Sequence, residues 1–281
     1  VNKFKHELHR LYADASKHST YQNIPDFVST ALGYTEPIDE AWRSDRPRIA
    51  YLQKRCAPQP GEHWGDFGAN TGFFTLTLAY QHPDTRFTAI EANPNHAHFI
   101  RRVAECFKLA NVEVLDRTIG LYELNELPKF DFLLHLNILH HAGHDFDSNI
   151  VLSIDRFPDY AMTYMNILRK RTRRMLFQIG NNWGGDKQQP LIGTREDYAK
   201  LHMFSRWLND AGWHINAIAY PQKAAGGFIS YDDFAIPTNK ALLSSTDTGL
   251  QLAISAIGLD KFHGEFYRRP LFLCQNMPIA Y

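Results

Sequence analysis

From His63 onward, short apolar runs alternate with segments whose apolar residues recur every three to four positions. No other feature constrains the chain so tightly, because strands joined by helical crossovers pair in parallel and need helices on both faces. "HWGDF" reads as the first strand, "GFFTLTLAYQ" as a helix opening at Gly72, and "RFTAIEA" as the second strand. Asn93 followed by Pro94 marks the next helix start, and Phe99, Ile100, Val103, Ala104 and Phe107 form its apolar face. "VEVL" and "FDFLLHL" supply strands three and four, the latter apolar on nearly every residue, as a strand covered on both faces should be. A helix over Asp159 to Lys170 leads to "RMLFQIG", one over Glu196 to Ala211 leads to "HINAIAY", and "PLFLCQN" closes the series. The pattern predicts an α/β fold built on a parallel sheet.

The first sixty residues read differently. Phe4, Leu8, Leu11 and Ala15 lie on one stripe, so a helix is expected over Asn2 to Lys17. The following segment, broken by Pro25, Pro37 and Pro47, reads as short helices and turns, with a helix over Arg48 to Cys56. We therefore expect a helical cap over residues 1–60 and a main domain over 61–281. Residues 222–268, with "AAGG" and "SSTDTG", form an insertion between the last two strands. Thirty basic residues balance thirty acidic ones, so no nucleic-acid partner is expected. Three cysteines without a C-x-x-C pair suit reduced thiols. No apolar run reaches membrane-spanning length and the start lacks a signal-peptide core, which together predict a cytoplasmic protein. A starting valine is what a piece of a longer chain would show.

The turn "WGDFGANTGFFT" decides the ligand. A nicotinamide or flavin fingerprint needs G-x-G-x-x-G, but counting from Gly68 its places hold Gly68, Asn70 and Phe73. What stands there is D-x-G-x-x-x-G, on Asp66, Gly68 and Gly72. This spacing resembles motif I of the class I S-adenosylmethionine-dependent methyltransferases, and Glu91 at the end of the second strand matches their ribose-gripping acid. "FDFLLHLNILHH" matches motif IV and its sequel, which places Asn137 near the methionine end. "GANTGFF…EANP" is similar to the FkbM-type and related sugar-modifying members. The resemblance covers about residues 60–220 and the final strand. It implies a Rossmann-like sheet whose last strand is antiparallel, with S-adenosyl-L-methionine as cofactor. Its implied ligands are Asp66, Phe67, Gly68, Ala69, Asn70, Gly72, Glu91, Ala92 and Asn137. Asp116, just past the third strand, is either an adenine contact or a solvated loop acid. From the cap, Tyr21, Gln22 and Arg43 are candidates for the methionine carboxylate, or else surface anchors of the cap.

Methyl transfer to a hydroxyl needs alignment and a proton acceptor. "LNILHHAGHDFD" offers both at the carboxyl end of strand four: His141 or His140 as base, oriented by Asp145 or Asp147. The same residues could simply pack the turn. A metal on His140, His144 and Asp145 is conceivable from their spacing, but a further ligand is not evident, so no metal is expected. Asn181, Asn182 and Trp183 could present amides and a ring to a sugar, or form a rigid turn. The basic run Leu168 to Arg174 reads as a solvated helix end, with peripheral contact to an anionic surface through Arg169–Arg174 the alternative. The resulting expectation is O-methylation of a small-molecule, sugar or polysaccharide acceptor. The rivals are a transfer-RNA or protein methyltransferase and a non-catalytic cofactor-binding partner domain.

Overall fold

Helix starts set the frame. In the computed structural model, residues 2–13, 22–34, 44–192, 197–223, 229–234, 248–258 and 268–276 are described. Asn93 caps a helix by accepting the Asn95 N–H, with Pro94 in the first turn, where a missing N–H costs nothing. Pro47 lies likewise in a first turn: the helix expected from Arg48 begins at Asp45, because proline is tolerated there rather than breaking the helix.

The chain forms two compact units, Val1–Thr118 and Ile119–Tyr281. The first contains α1 (Asn2–Ala13), α2 (Asp26–Leu32), α3 (Asp45–Arg55), β1 (His63–Phe67), α4 (Phe73–Gln81), β2 (Arg86–Ile90), α5 (Pro94–Cys106) and β3 (Val112–Leu115). Its strands are all parallel, in the order β3-β2-β1, with Phe67 opposite Ile90 and Ile90 opposite Leu115. Phe4, Leu8, Ile24 and Val28 pack into one apolar cluster with Ala69, Leu76, Phe99 and Val103. The amino-terminal helices therefore share a core with the first strands, because their apolar stripe has no other face to bury against.

The second unit holds β4 (Phe130–Leu136), α6 (Phe157–Leu168), β5 (Thr172–Gln178), α7 (Asp197–Asp210), β6 (Trp213–Lys223), β7 (Ile229–Asp233), α8 (Thr248–Ile257) and β8 (Leu271–Asn276). Here the order is β4-β5-β8-β6-β7. β4 and β5 are parallel, whereas β8 runs antiparallel to both β5 and β6. Parallel strands with helices between them, and an antiparallel β8, make this a Rossmann-like sheet. β7 pairs antiparallel with β6 and was not expected, since "ISYDD" is too short and polar to announce a strand.

Candidate active site

The turn after β1 is shaped by backbone requirements. Gly68 and Gly72 hold φ of +70° and +77°, a region that favours glycine. A Cβ on Gly72 would also lie 2.8 Å from Ile100 Cγ1, so this position has no room for a side chain. Asp66 is buried and accepts the Thr75 hydroxyl at 2.7 Å, which ties β1 to the first turn of α4. Burial pushes its carboxyl up to about 6, opposed by the Thr75 hydroxyl and backbone N–H. The motif acid therefore organises the turn and does not present its carboxylate outward.

Glu91 meets that turn from the end of β2. One carboxylate oxygen accepts the Asn70 N–H at 2.6 Å, and the other accepts the Asn93 N–H at 2.8 Å. Burial raises the carboxyl to about 7, against these backbone donors. His96 Nδ1 lies 3.9 Å from the second oxygen. Phe67 and Ala69 are buried behind the turn, and Ala92 is exposed beside Glu91. Asp116 pairs with Arg101 at 3.0 Å, just beyond the point where the Glu91 N–H bonds the Leu115 carbonyl.

Could these residues hold an adenosyl cofactor? A carboxylate offers about four lone-pair directions. The backbone N–H groups line only part of Glu91's capacity, so two vicinal hydroxyls can still donate to it. The glycines at 68 and 72 let the backbone of the turn approach a ligand closely at those positions. The donor set fits a ribose-bearing cofactor.

Gln22 Oε1 accepts the Phe73 N–H at 2.8 Å, satisfying an otherwise orphan donor at the start of α4. Tyr21 and Arg43 lie outside the described residues.

In the second unit, the segments following β4 and β5 interlock. Asn137, at φ +60°, donates its side-chain N–H to Gln178 Oε1 at 2.8 Å and accepts Arg269 Nη1 at 3.0 Å. Gln178 returns a bond to the Arg269 carbonyl at 3.0 Å. Neither Gln178 nor Arg269 was singled out in the sequence, because the ring closes over residues 132 positions apart. His140 is buried, and its Nδ1 accepts the Gly180 N–H at 3.2 Å. Burial, then the neighbouring His141 and Arg269 charges, hold it well below the usual histidine range. It is thus a neutral ring with its proton on Nε2. The Gly180 Cβ position would fall 2.4 Å from that nitrogen.

His141 is set up differently. It sits on the short 3-10 turn Leu139–His141, with its Nδ1 2.9 Å from Asp145 Oδ2, and both side chains are between a quarter and a third exposed (29% and 28%). The Asp145 N–H bonds the His141 carbonyl at 2.9 Å, which brings the pair onto one face. Asp147 does not orient either ring: its carboxylate takes the Leu121 N–H at 2.8 Å and the Tyr160 hydroxyl. Trp183 is buried at 8% exposure and donates its indole N–H to the Ala142 carbonyl at 2.6 Å, so it offers no platform for a sugar. The His144 ring abuts Trp183 at 4.4 Å. Among the described residues, no three of His, Cys, Asp and Glu gather in a way that would hold a metal ion. No described helix is long and apolar enough to cross a membrane.

No protein-family profile matches the sequence. The ribosomal RNA small subunit methyltransferase G of Ectopseudomonas mendocina is 34% identical over 62 residues, 22% of this chain and 29% of that protein. The chain thus aligns with less than a third of that curated relative's length. Among solved structures, precorrin-6y C5,15-methyltransferase of Geobacter metallireducens GS-15 superimposes with a TM-score of 0.45 at 13% identity, covering 92% of this chain and 97% of that one. TYW2 of M. jannaschii, solved in complex with AdoMet, gives 0.44 at 12%, covering 88% and 80%.

Proposed function

We propose that the protein is an S-adenosylmethionine-dependent methyltransferase acting on a hydroxyl of a small-molecule, sugar or polysaccharide acceptor. One observation carries the cofactor assignment: Glu91, buried at the end of β2, is held by the Asn70 and Asn93 N–H groups beside a turn whose Gly68 and Gly72 adopt positive φ. Gly68, Ala69, Asn70, Gly72 and Ala92 supply backbone around it, and Asp116 borders it. When bound, S-adenosylmethionine supplies an electrophilic methyl group on a sulfonium.

His141 is the base. Its ring takes the acceptor hydroxyl's proton, with the Asp145 carboxylate 2.9 Å from Nδ1. The carboxylate then stabilises the imidazolium, as in other histidine–carboxylate pairs. His140 has its Nδ1 occupied and contributes by fixing the turn.

The relatives named for ribosomal RNA support a second reading, an RNA acceptor. The test is transfer of a tritiated methyl group from S-adenosylmethionine to catechol, to nucleotide sugars and to unmodified small-subunit ribosomal RNA. Label on a hydroxyl compound, lost in His141→Ala, supports the first reading. Label on the RNA alone replaces it with the second, and no label on any acceptor despite cofactor binding favours a non-catalytic partner domain.

A further inference from the structure

Arg269 reaches the segments after β4 and β5 from the far end of the sequence, and proton transfer at His141 gives it no task. Three bonds set its place. The preceding Arg268 donates its Nε–H to Asp197 Oδ2 at 3.0 Å, on the first residue of α7. The Arg269 carbonyl accepts the Gln178 side-chain N–H at 3.0 Å, and its Nη1 donates to Asn137 Oδ1 at 3.0 Å. Asn137 holds that oxygen toward the guanidinium because its nitrogen is committed to Gln178 Oε1 at 2.8 Å. Gln178 ends β5 and Asn137 directly follows β4, so a guanidinium is fixed at the carboxyl ends of two parallel strands. Arg269 is only partly buried there.

Carboxyl ends of parallel strands are where an α/β sheet receives its ligands. The Arg269 charge reaches the buried His140, adding to burial and the neighbouring His141 in holding that ring neutral. The His140 ring in turn lies 4.2 Å from the ring of His141, the proposed base. A permanent cation and a base therefore share one edge of the second unit. A neutral side chain could make the same bond to Asn137, whereas a guanidinium adds a charge that does not titrate and a planar fork that matches carboxylate and phosphate oxygens. We infer that the methyl acceptor is an anionic hydroxy compound, whose carboxylate or phosphate docks on Arg269 while its hydroxyl meets His141. This inference rests on the methyltransferase reading and narrows the class of its acceptor.

The test uses two pairs of hydroxyl compounds that differ by an anionic group: 3,4-dihydroxybenzoate against catechol, and glucose 6-phosphate against glucose. Each is titrated calorimetrically into the S-adenosylhomocysteine complex of wild type, Arg269→Gln and Arg269→Lys. The inference predicts that wild type binds the anionic member of at least one pair about ten- to a hundredfold more tightly, and the pair that shows the margin tells carboxylate from phosphate. Arg269→Gln should lose that margin and Arg269→Lys should keep part of it. All three proteins should bind S-adenosylhomocysteine within about twofold of one another. The ratio within a pair is read in one protein, so a loss of folded material does not imitate the effect. No margin in wild type for either pair, or a margin that survives in Arg269→Gln, would overturn the inference. So would a loss of about tenfold or more in S-adenosylhomocysteine affinity in Arg269→Gln, because Arg269 would then serve the cofactor. If wild type binds no S-adenosylhomocysteine, the methyltransferase reading itself fails, a result distinct from each of these.

Discussion

A carboxyl raised to about 7 makes Glu91 the residue through which solution pH reaches the site. The ionised form accepts hydroxyl donors far better than the protonated acid, which itself needs an acceptor. Affinity for S-adenosylhomocysteine should therefore be full above pH 8 and fall as pH drops through 7, approaching tenfold per pH unit well below it. Titrations from pH 6 to 8.5 should show this slope in wild type and a weak, flat profile in Glu91→Gln; a flat wild-type profile would contradict the role. Gly180 makes a different residue-scale prediction. A Cβ there would overlap the buried His140 ring, so Gly180→Ala should cost about 1–3 kcal/mol in urea unfolding. Glu91 could be read in the sequence from its place after a strand. Gly180 could not, because its contact is with a residue 40 positions earlier.

At the scale of elements, α3 stands out for what it buries. Asp45 and Arg48, 0% and 5% exposed, pair at 2.6 Å, and the guanidinium also lies 5.2 Å from the Phe74 ring centroid. Removing one partner of a buried pair leaves an uncompensated charge, so Arg48→Ala should destabilise by about 3–5 kcal/mol in urea unfolding. The exposed pair Arg46–Asp26 is the control: Arg46→Ala should stay within about 1 kcal/mol of wild type. In sequence, an acid and a base three residues apart on a helix suggest a solvated face, which is why this pair went unnoticed. The strands from β1 to β5 were legible because apolar period and capping agree in them, as at Asn93 and Pro94. β7 was not, since its register comes from pairing with β6 rather than from its own pattern. The same limit applies to the site: Asn137 could be matched to a motif, but its partners Gln178 and Arg269 are visible only once the segments are folded together.

For the whole molecule, equal numbers of acidic and basic residues leave stability to depend on buried groups more than on net charge. Asp66 and Glu91 are raised from 3.8 and 4.5 to about 6 and about 7. Between those limits the folded protein binds more protons than the unfolded chain, so these two groups lower stability as pH rises from about 4 to 7. Glu91→Gln should flatten that decline, as read from urea midpoints across this range; an unchanged slope would argue that Glu91 ionises normally in the fold. Ligand binding acts in the opposite direction by stabilising the folded form. The central claim is that the chain holds an adenosyl cofactor at Glu91, and its most direct test is thermal unfolding with saturating S-adenosylhomocysteine, with NAD in parallel, for wild type and Glu91→Ala. At a hundred times the dissociation constant, linkage adds about 2.7 kcal/mol, so the wild-type midpoint should rise by about 5 °C or more with S-adenosylhomocysteine and not with NAD. The rise should vanish in folded Glu91→Ala. A folded wild type that S-adenosylhomocysteine leaves unshifted, or that NAD stabilises instead, would contradict the claim.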